Sequence, residues 1–257
     1  MNLIGLVLAG GVALTPPVDS DEITTAWVVQ ADASQVGEHS VRDGSYVVKH
    51  RLLPSSLVRL QEDVTDGKSG KVLIGAGEQL FGLLTSGSPV FCVNKMPKQN
   101  LARSLLFGSG NLMRCFVDSN DDGKIDGHFN AGNAVPGLPN FSRKRPKKPK
   151  LASGGRYERI DPALDDQQYF VGIRYEGRAA IIGRGAIPTF SVRFGTDGHE
   201  GSLSEDAIPD GATLPFDLRM LGARFSVLSR DGETIRVNVT EAMPEQRFGV
   251  VQTIRYN

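Results

Sequence analysis

A chain of 257 residues, 40% hydrophobic and 23% charged, has the composition of a globular protein with one large core or two modest ones, which excludes global disorder. Lys plus Arg and Asp plus Glu balance at 29 each, so no overall field draws the molecule to nucleic acid or to an anionic membrane. Thirty glycines and 14 prolines, scattered without a period, imply many short elements joined by tight turns. That pattern predicts an all-β fold, mainly antiparallel sandwich or barrel-like sheets with at most one or two short helices.

The apolar run Leu3 to Leu14 is too short to span a bilayer and has the length of a signal-peptide core. Residues 1–14 are accordingly read as a signal peptide, with Gly11 and Ala13 as the small residues before cleavage and Pro16-Pro17 as the break. No Lys or Arg precedes the run, and the alternative is a buried first strand. The first reading places the protein in the periplasm or outside the cell. No other segment is long enough to be transmembrane.

Residues 20–141 read as a β-rich domain. Its predicted strands are Thr25 to Val29, Tyr46 to Leu53, Lys71 to Ile74, Gln79 to Leu84, Val90 to Val93 and Leu112 to Val117, punctuated by turns such as Asp66-Gly67 and Ser86-Gly87. Trp27, in the apolar run AWVV, is assigned to the core. The helical candidate is Gln99 to Phe107, where Leu101 and Leu105 share a face. The segment Gly70 to Gly82 lacks a G-x-G-x-x-G continuation and does not support nucleotide binding.

The only cysteines, Cys92 and Cys115, each lie in a β-like apolar run, so adjacent strands can set them opposite one another. In an exported protein they are expected to form a disulfide; in a cytosolic one they would remain buried thiols. Their spacing is not that of a metal knuckle.

Three residues past Cys115 comes DSNDDGKIDGHF, Asp118 to Phe129. Counting Asp118 as position one, Asn120 falls at three, Asp122 at five, Gly123 at six, the Lys124 carbonyl at seven and Asp126 at nine, the order in which hard oxygen ligands surround Ca²⁺. Gly123 permits the sharp turn, and Ile125 can anchor the loop to a core. Over these dozen residues the chain resembles an EF-hand or dockerin-type loop. It departs at position twelve, where Phe129 replaces the bidentate Glu, and the strand-like Leu112 to Val117 replaces the first helix. The expectation is a structural Ca²⁺ site on Asp118, Asn120, Asp122, Lys124 and Asp126, with a Kd on the order of 10⁻⁴ to 10⁻³ M. Four carboxylates within nine residues repel one another without a cation. The same residues also suit a plain hairpin turn, which would need no ion.

Residues 142–155 read as a basic linker or long loop. Arg143, Lys144, Arg145, Lys147, Lys148 and Lys150 crowd into eight positions among prolines, and such runs are extended and hydrated. They are a weak candidate for contact with a polyanion, such as an acidic cell-surface glycan or lipid headgroup. No aromatic residue interleaves them, so nucleic acid is not the expected partner.

Residues 156–257 read as a second β-rich domain, with strands at Tyr169 to Tyr175, Ala179 to Ile182, Thr189 to Phe194, Arg224 to Leu228, Thr234 to Val239 and Phe248 to Arg255. Its clearest feature is a hairpin in which Phe225 and Val227 alternate with polar residues, Asp231-Gly232 turns, and Ile235, Val237 and Val239 return.

Local signatures of serine, zinc and phosphate chemistry are absent. His39, His50, His128 and His199 are dispersed among polar neighbours and are read as surface or loop residues. Glu158, Asp161, Asp165, Asp166 and Glu176 could pair for glycoside hydrolysis, but sequence says nothing of their separation, and His199-Glu200 is the first pair to inspect. The main expectation is a non-enzymatic exported interaction module with a structural calcium loop. The alternative is a secreted hydrolase acting on a glycan or other polymer, with calcium again structural.

Overall fold

A computed structural model describes residues 23–24, 27–85, 87–93, 111–135, 138–140, 148–180, 186–197, 199–207 and 213–248. Among them every element is a strand except the two short 3-10 turns Ala33–Gln35 and Pro162–Leu164, so the fold is all-β as the composition predicts. The pairings are antiparallel. No helix among the described residues is long and apolar enough to cross a membrane. The helical candidate Gln99 to Phe107 and the apolar N-terminus lie outside the described residues.

The chain divides into two compact units, one built from Val28–Leu52 and Tyr169–Asn257, the other including Leu53–Gln168. Among the described residues the crossings fall after Trp27, which belongs to the second unit, and at Leu52 and Gln168, not in the basic stretch 142–155. Part of that stretch, Lys150–Gly154, is a strand paired with both Gly127–Val135 and Val64–Asp66. Partners on both sides supply the ladder hydrogen bonds that its local composition does not favour.

The first unit holds two sheets. Six strands run in the order His199–Ala207, Ala186–Thr196, Phe170–Ala180, Tyr46–Pro54, Trp27–Val29, Arg247–Phe248, and four in the order Phe216–Met220, Ala223–Asp231, Thr234–Glu241, Gly37–Arg42. Val171, Ile173 and Tyr175 alternate inward on one sheet; Phe225, Val227, Ile235, Val237 and Val239 do so on the other. Phe190 meets Phe225 edge-on at 5.4 Å, joining the two layers. The predicted hairpin is present, with Phe225 opposite Val239, Val227 opposite Val237, and Gly232 taking a positive φ in the turn.

The second unit holds the short pair Ile23–Thr24 and Leu84–Thr85 and a ten-stranded sheet that must curl. Leu57–Leu60 and Val64–Asp66 occupy the second and eighth places of its nine-strand path, with Leu138–Asn140 attached beside Gly127–Val135. Six strand spacings in a flat sheet span about 29 Å. The three residues joining Leu60 to Val64 reach at most about 14 Å. Lys150–Gly154 and Tyr157–Ile160 repeat the argument, being seventh and first in the path and joined by two residues.

Period-two alternation in this sheet feeds two clusters on opposite faces. Leu80, Phe91, Phe116 and Ile125 belong to one; Phe81, Cys92, Cys115, Val117 and Phe129 belong to the other. Burying each such side chain stabilises by roughly 1.5–3 kcal/mol. Cys92 and Cys115 are cross-strand partners, Cα to Cα 4.0 Å, and form the expected disulfide inside the second cluster. Trp27 is fully buried beside Phe81, as its apolar neighbours predict.

Candidate metal centre

The strand Asn111–Val117 enters the loop and Gly127–Val135 leaves it, with Val117 opposite Gly127, Phe116 opposite His128 and Cys115 opposite Phe129. The Asp-rich segment is thus a hairpin connection whose closing pair, Val117 and Gly127, lies two pairs from the disulfide-bearing Cys115. This register explains the departure at position twelve. Phe129 already belongs to the return strand and its ring fills the cluster around the disulfide, so a carboxylate there would be buried in hydrocarbon.

Asp118 organises the loop. It is 0% exposed, and its carboxylate accepts the backbone N–H groups of Asp122 (3.1 Å) and Gly123 (2.9 Å) and the hydroxyl of Tyr157 (2.8 Å). Burial, and next to it the neighbouring Asp118 carboxylate, push the Tyr157 phenol well above its ordinary pKa, so it remains a donor. The chain wraps around this carboxylate with Asp121 and Gly123 at positive φ, which Asp tolerates and Gly adopts freely. Ile125 is buried in the core as the anchor of the loop, and its N–H reaches the Gly155 carbonyl.

The remaining donors are used locally. Asp126 accepts the Ser119 N–H (3.0 Å) and hydroxyl (2.8 Å), and Asp122 accepts the Lys124 N–H (3.0 Å) and the Asn120 amide (3.1 Å). Each of these carboxylates therefore has N–H or O–H groups that offset the crowding of negative charge. Among the described residues no three His, Cys, Asp or Glu side chains stand together as a metal would need. Asn120, Asp122 and Lys124 are exposed, whereas Asp118 is not. The loop is thus an Asx-bonded turn with one buried carboxylate and exposed polar side chains at Asn120, Asp122 and Lys124.

Of the basic residues, Lys148 and Lys150 are exposed, while Arg143, Lys144, Arg145 and Lys147 lie outside the described residues. The carboxylates proposed for hydrolysis are scattered into structural tasks. Glu158 accepts from Gln61, Asp161 caps the turn Pro162–Leu164, Asp165 accepts the Gln167 N–H and Asp166 accepts the Gln167 amide. Two histidine readings are corrected. His50 and His128 are buried in strands, because cross-strand neighbours cover them whatever the polarity along the chain.

One constellation went unread in the sequence. Glu176 and Glu200 are both held by Arg174, within a network that includes Tyr46, Ser191 and Arg193. The available signal was polar residues at every second place, Arg174 and Glu176 then Ser191 and Arg193, in strands otherwise apolar. The chain matches no protein-family model, and no curated protein matches it.

Proposed function

We propose that this chain is an exported, non-enzymatic β module in which the Asp118–Asp126 loop takes up Ca²⁺ as a structural brace. The carrying observation is the wrap of the loop around the buried Asp118, whose carboxylate accepts the N–H groups of positions five and six and leaves Asn120, Asp122 and Lys124 exposed. Asp122 and Asn120 give up only exposed hydrogen bonds on turning toward a cation, a small net loss because water replaces them. With Phe129 committed to the core the ligand set is short. The expected Kd stays on the order of 10⁻⁴ to 10⁻³ M, a range suited to strengthening an extracellular fold and not to signalling.

Export is supported by the Cys92–Cys115 disulfide, a bond that persists in oxidising compartments, together with the apolar N-terminal run. The non-enzymatic reading is supported by the scattering of the candidate carboxylates and by Glu176, which its donors hold ionised and which is therefore unsuited to act as a general acid.

Chelator-stripped protein is expected to melt higher in calcium. At ten times Kd the gain is about 1.4 kcal/mol, or roughly 3–8 °C. Asp122→Ala should abolish the rise. An unchanged melting temperature at 10 mM Ca²⁺ contradicts the proposal and leaves the loop a self-sufficient turn.

A further inference from the structure

On the six-stranded sheet of the first unit, alternation sends Val171, Ile173 and Tyr175 into the core and Gly172, Arg174 and Glu176 to the other face. Ser191 and Arg193 join that face from the next strand, opposite Arg174 and Gly172, and Glu200 joins it from the edge strand. Arg174 grips Glu176 through Nε (2.9 Å) and Nη2 (3.0 Å) and bonds Glu200 through Nη1. Arg193 donates to Glu176 and, at 2.8 Å, to the Ser191 hydroxyl, and the Tyr46 hydroxyl donates to Glu200. Charged groups on a solvated sheet face extend into water, yet these two arginine and two glutamate side chains are only 16–28% exposed. Two carboxylates hold two guanidinium planes rigidly, which is how a binding site is preorganised.

Three features narrow the ligand. Arg193 has an Nη1 group with no partner among the described residues, so donors remain unspent beside the carboxylates. The Tyr46 ring lies against the backbone of Gly172, where any side chain would place its first carbon 2.5 Å from the ring, and Lys49 Nζ stands 5.5 Å from the ring centroid, so the packed ring holds its hydroxyl at Glu200. Within the described network the charges cancel, with Arg174, Arg193 and Lys49 against Glu176, Glu200 and Asp197, the last ion-paired with Lys49 at 2.8 Å. A balanced network contributes no field of its own to select an anion. Vicinal hydroxyls, which both donate and accept, match alternating guanidinium and carboxylate groups.

We propose that this face binds a neutral oligosaccharide through Tyr46, Arg174, Glu176, Arg193 and Glu200. The site lies wholly within the first unit, so it goes beyond the calcium proposal and does not depend on it. The test is affinity electrophoresis of the full chain through gels containing a neutral glucan, xylan, mannan or galactan, with pectate and heparin gels alongside. Retardation is expected in at least one neutral gel, relieved by the matching free oligosaccharide. It should weaken about tenfold in Arg193→Gln and in Glu200→Gln, the latter chosen because Glu200 sits on an edge strand and its loss should spare folding. Retardation in no neutral gel, retardation in the acidic gels alone, or retardation unchanged in both variants would overturn the proposal. The same gels run with chelator should give the same result, because the calcium loop is in the other unit.

Discussion

The two carboxylates that matter most are distinguished by what surrounds them. Asp118 is buried with three donors, whereas Asp121, three residues on, is exposed. Asp118→Asn puts an amide NH2 against N–H or O–H donors and should cost about 2–3 kcal/mol. Asp121→Asn should stay within about 0.5 kcal/mol. Equal denaturation midpoints for the two variants would contradict the organising role of Asp118. Glu176 yields a pH prediction. Burial alone would raise its pKa, but the hydrogen bonds from Arg174, Ser191 and Arg193 together prevail and hold it below the usual carboxylate range. A carboxylate depressed in the folded state contributes stability above its unfolded pKa and loses it as pH falls through the folded value. Melting temperature should therefore drop progressively below about pH 4.5, the ordinary glutamate range. In Glu176→Gln that part of the drop should vanish, at a cost at neutral pH of about 2–3 kcal/mol from arginines left with fewer partners. An identical acid limb in both proteins would show that Glu176 carries none of it.

At the scale of elements, the disulfide staples Val90–Val93 to Asn111–Val117, the strand that delivers Asp118. Reduction should lower stability by about 3 kcal/mol in the chain-entropy account. Labelling of denatured, unreduced protein should find no free thiol; two reactive thiols would remove this support for export. Strands whose own residues alternate or run apolar, such as Tyr46–Pro54, Val90–Val93 and Thr234–Glu241, were legible from sequence within a residue or two. Gly37–Arg42, Lys150–Gly154 and Tyr157–Ile160 were not. Each carries Lys, Arg or Glu along an exposed side, and each is a strand because a partner on the sheet supplies its ladder. The calcium-like loop was legible as a spacing. Its buried Asp118 and its bond to Tyr157, 39 residues away, arise from register and could not be read from the local pattern.

At the scale of the molecule, all-β architecture followed from glycine, proline and alternation, while the division of the chain did not. A compositional break at 142–155 looked like a boundary, yet the unit containing Val28–Leu52 is completed by residues from Tyr169 onward. Pairing between Tyr46–Pro54 and Phe170–Ala180 joins segments more than a hundred residues apart, a contact no local window contains. The Arg174 network escaped for the same reason, since three of its strands meet only in the sheet. The central claim, a structural Ca²⁺ in the Asp118–Asp126 loop, is tested most directly by calorimetric titration of chelator-stripped protein with CaCl₂. The account predicts one ion per chain bound with a Kd on the order of 10⁻⁴ to 10⁻³ M, and no binding to Asp122→Ala. The absence of binding heat at saturating calcium, or the same heat from that variant, would contradict it.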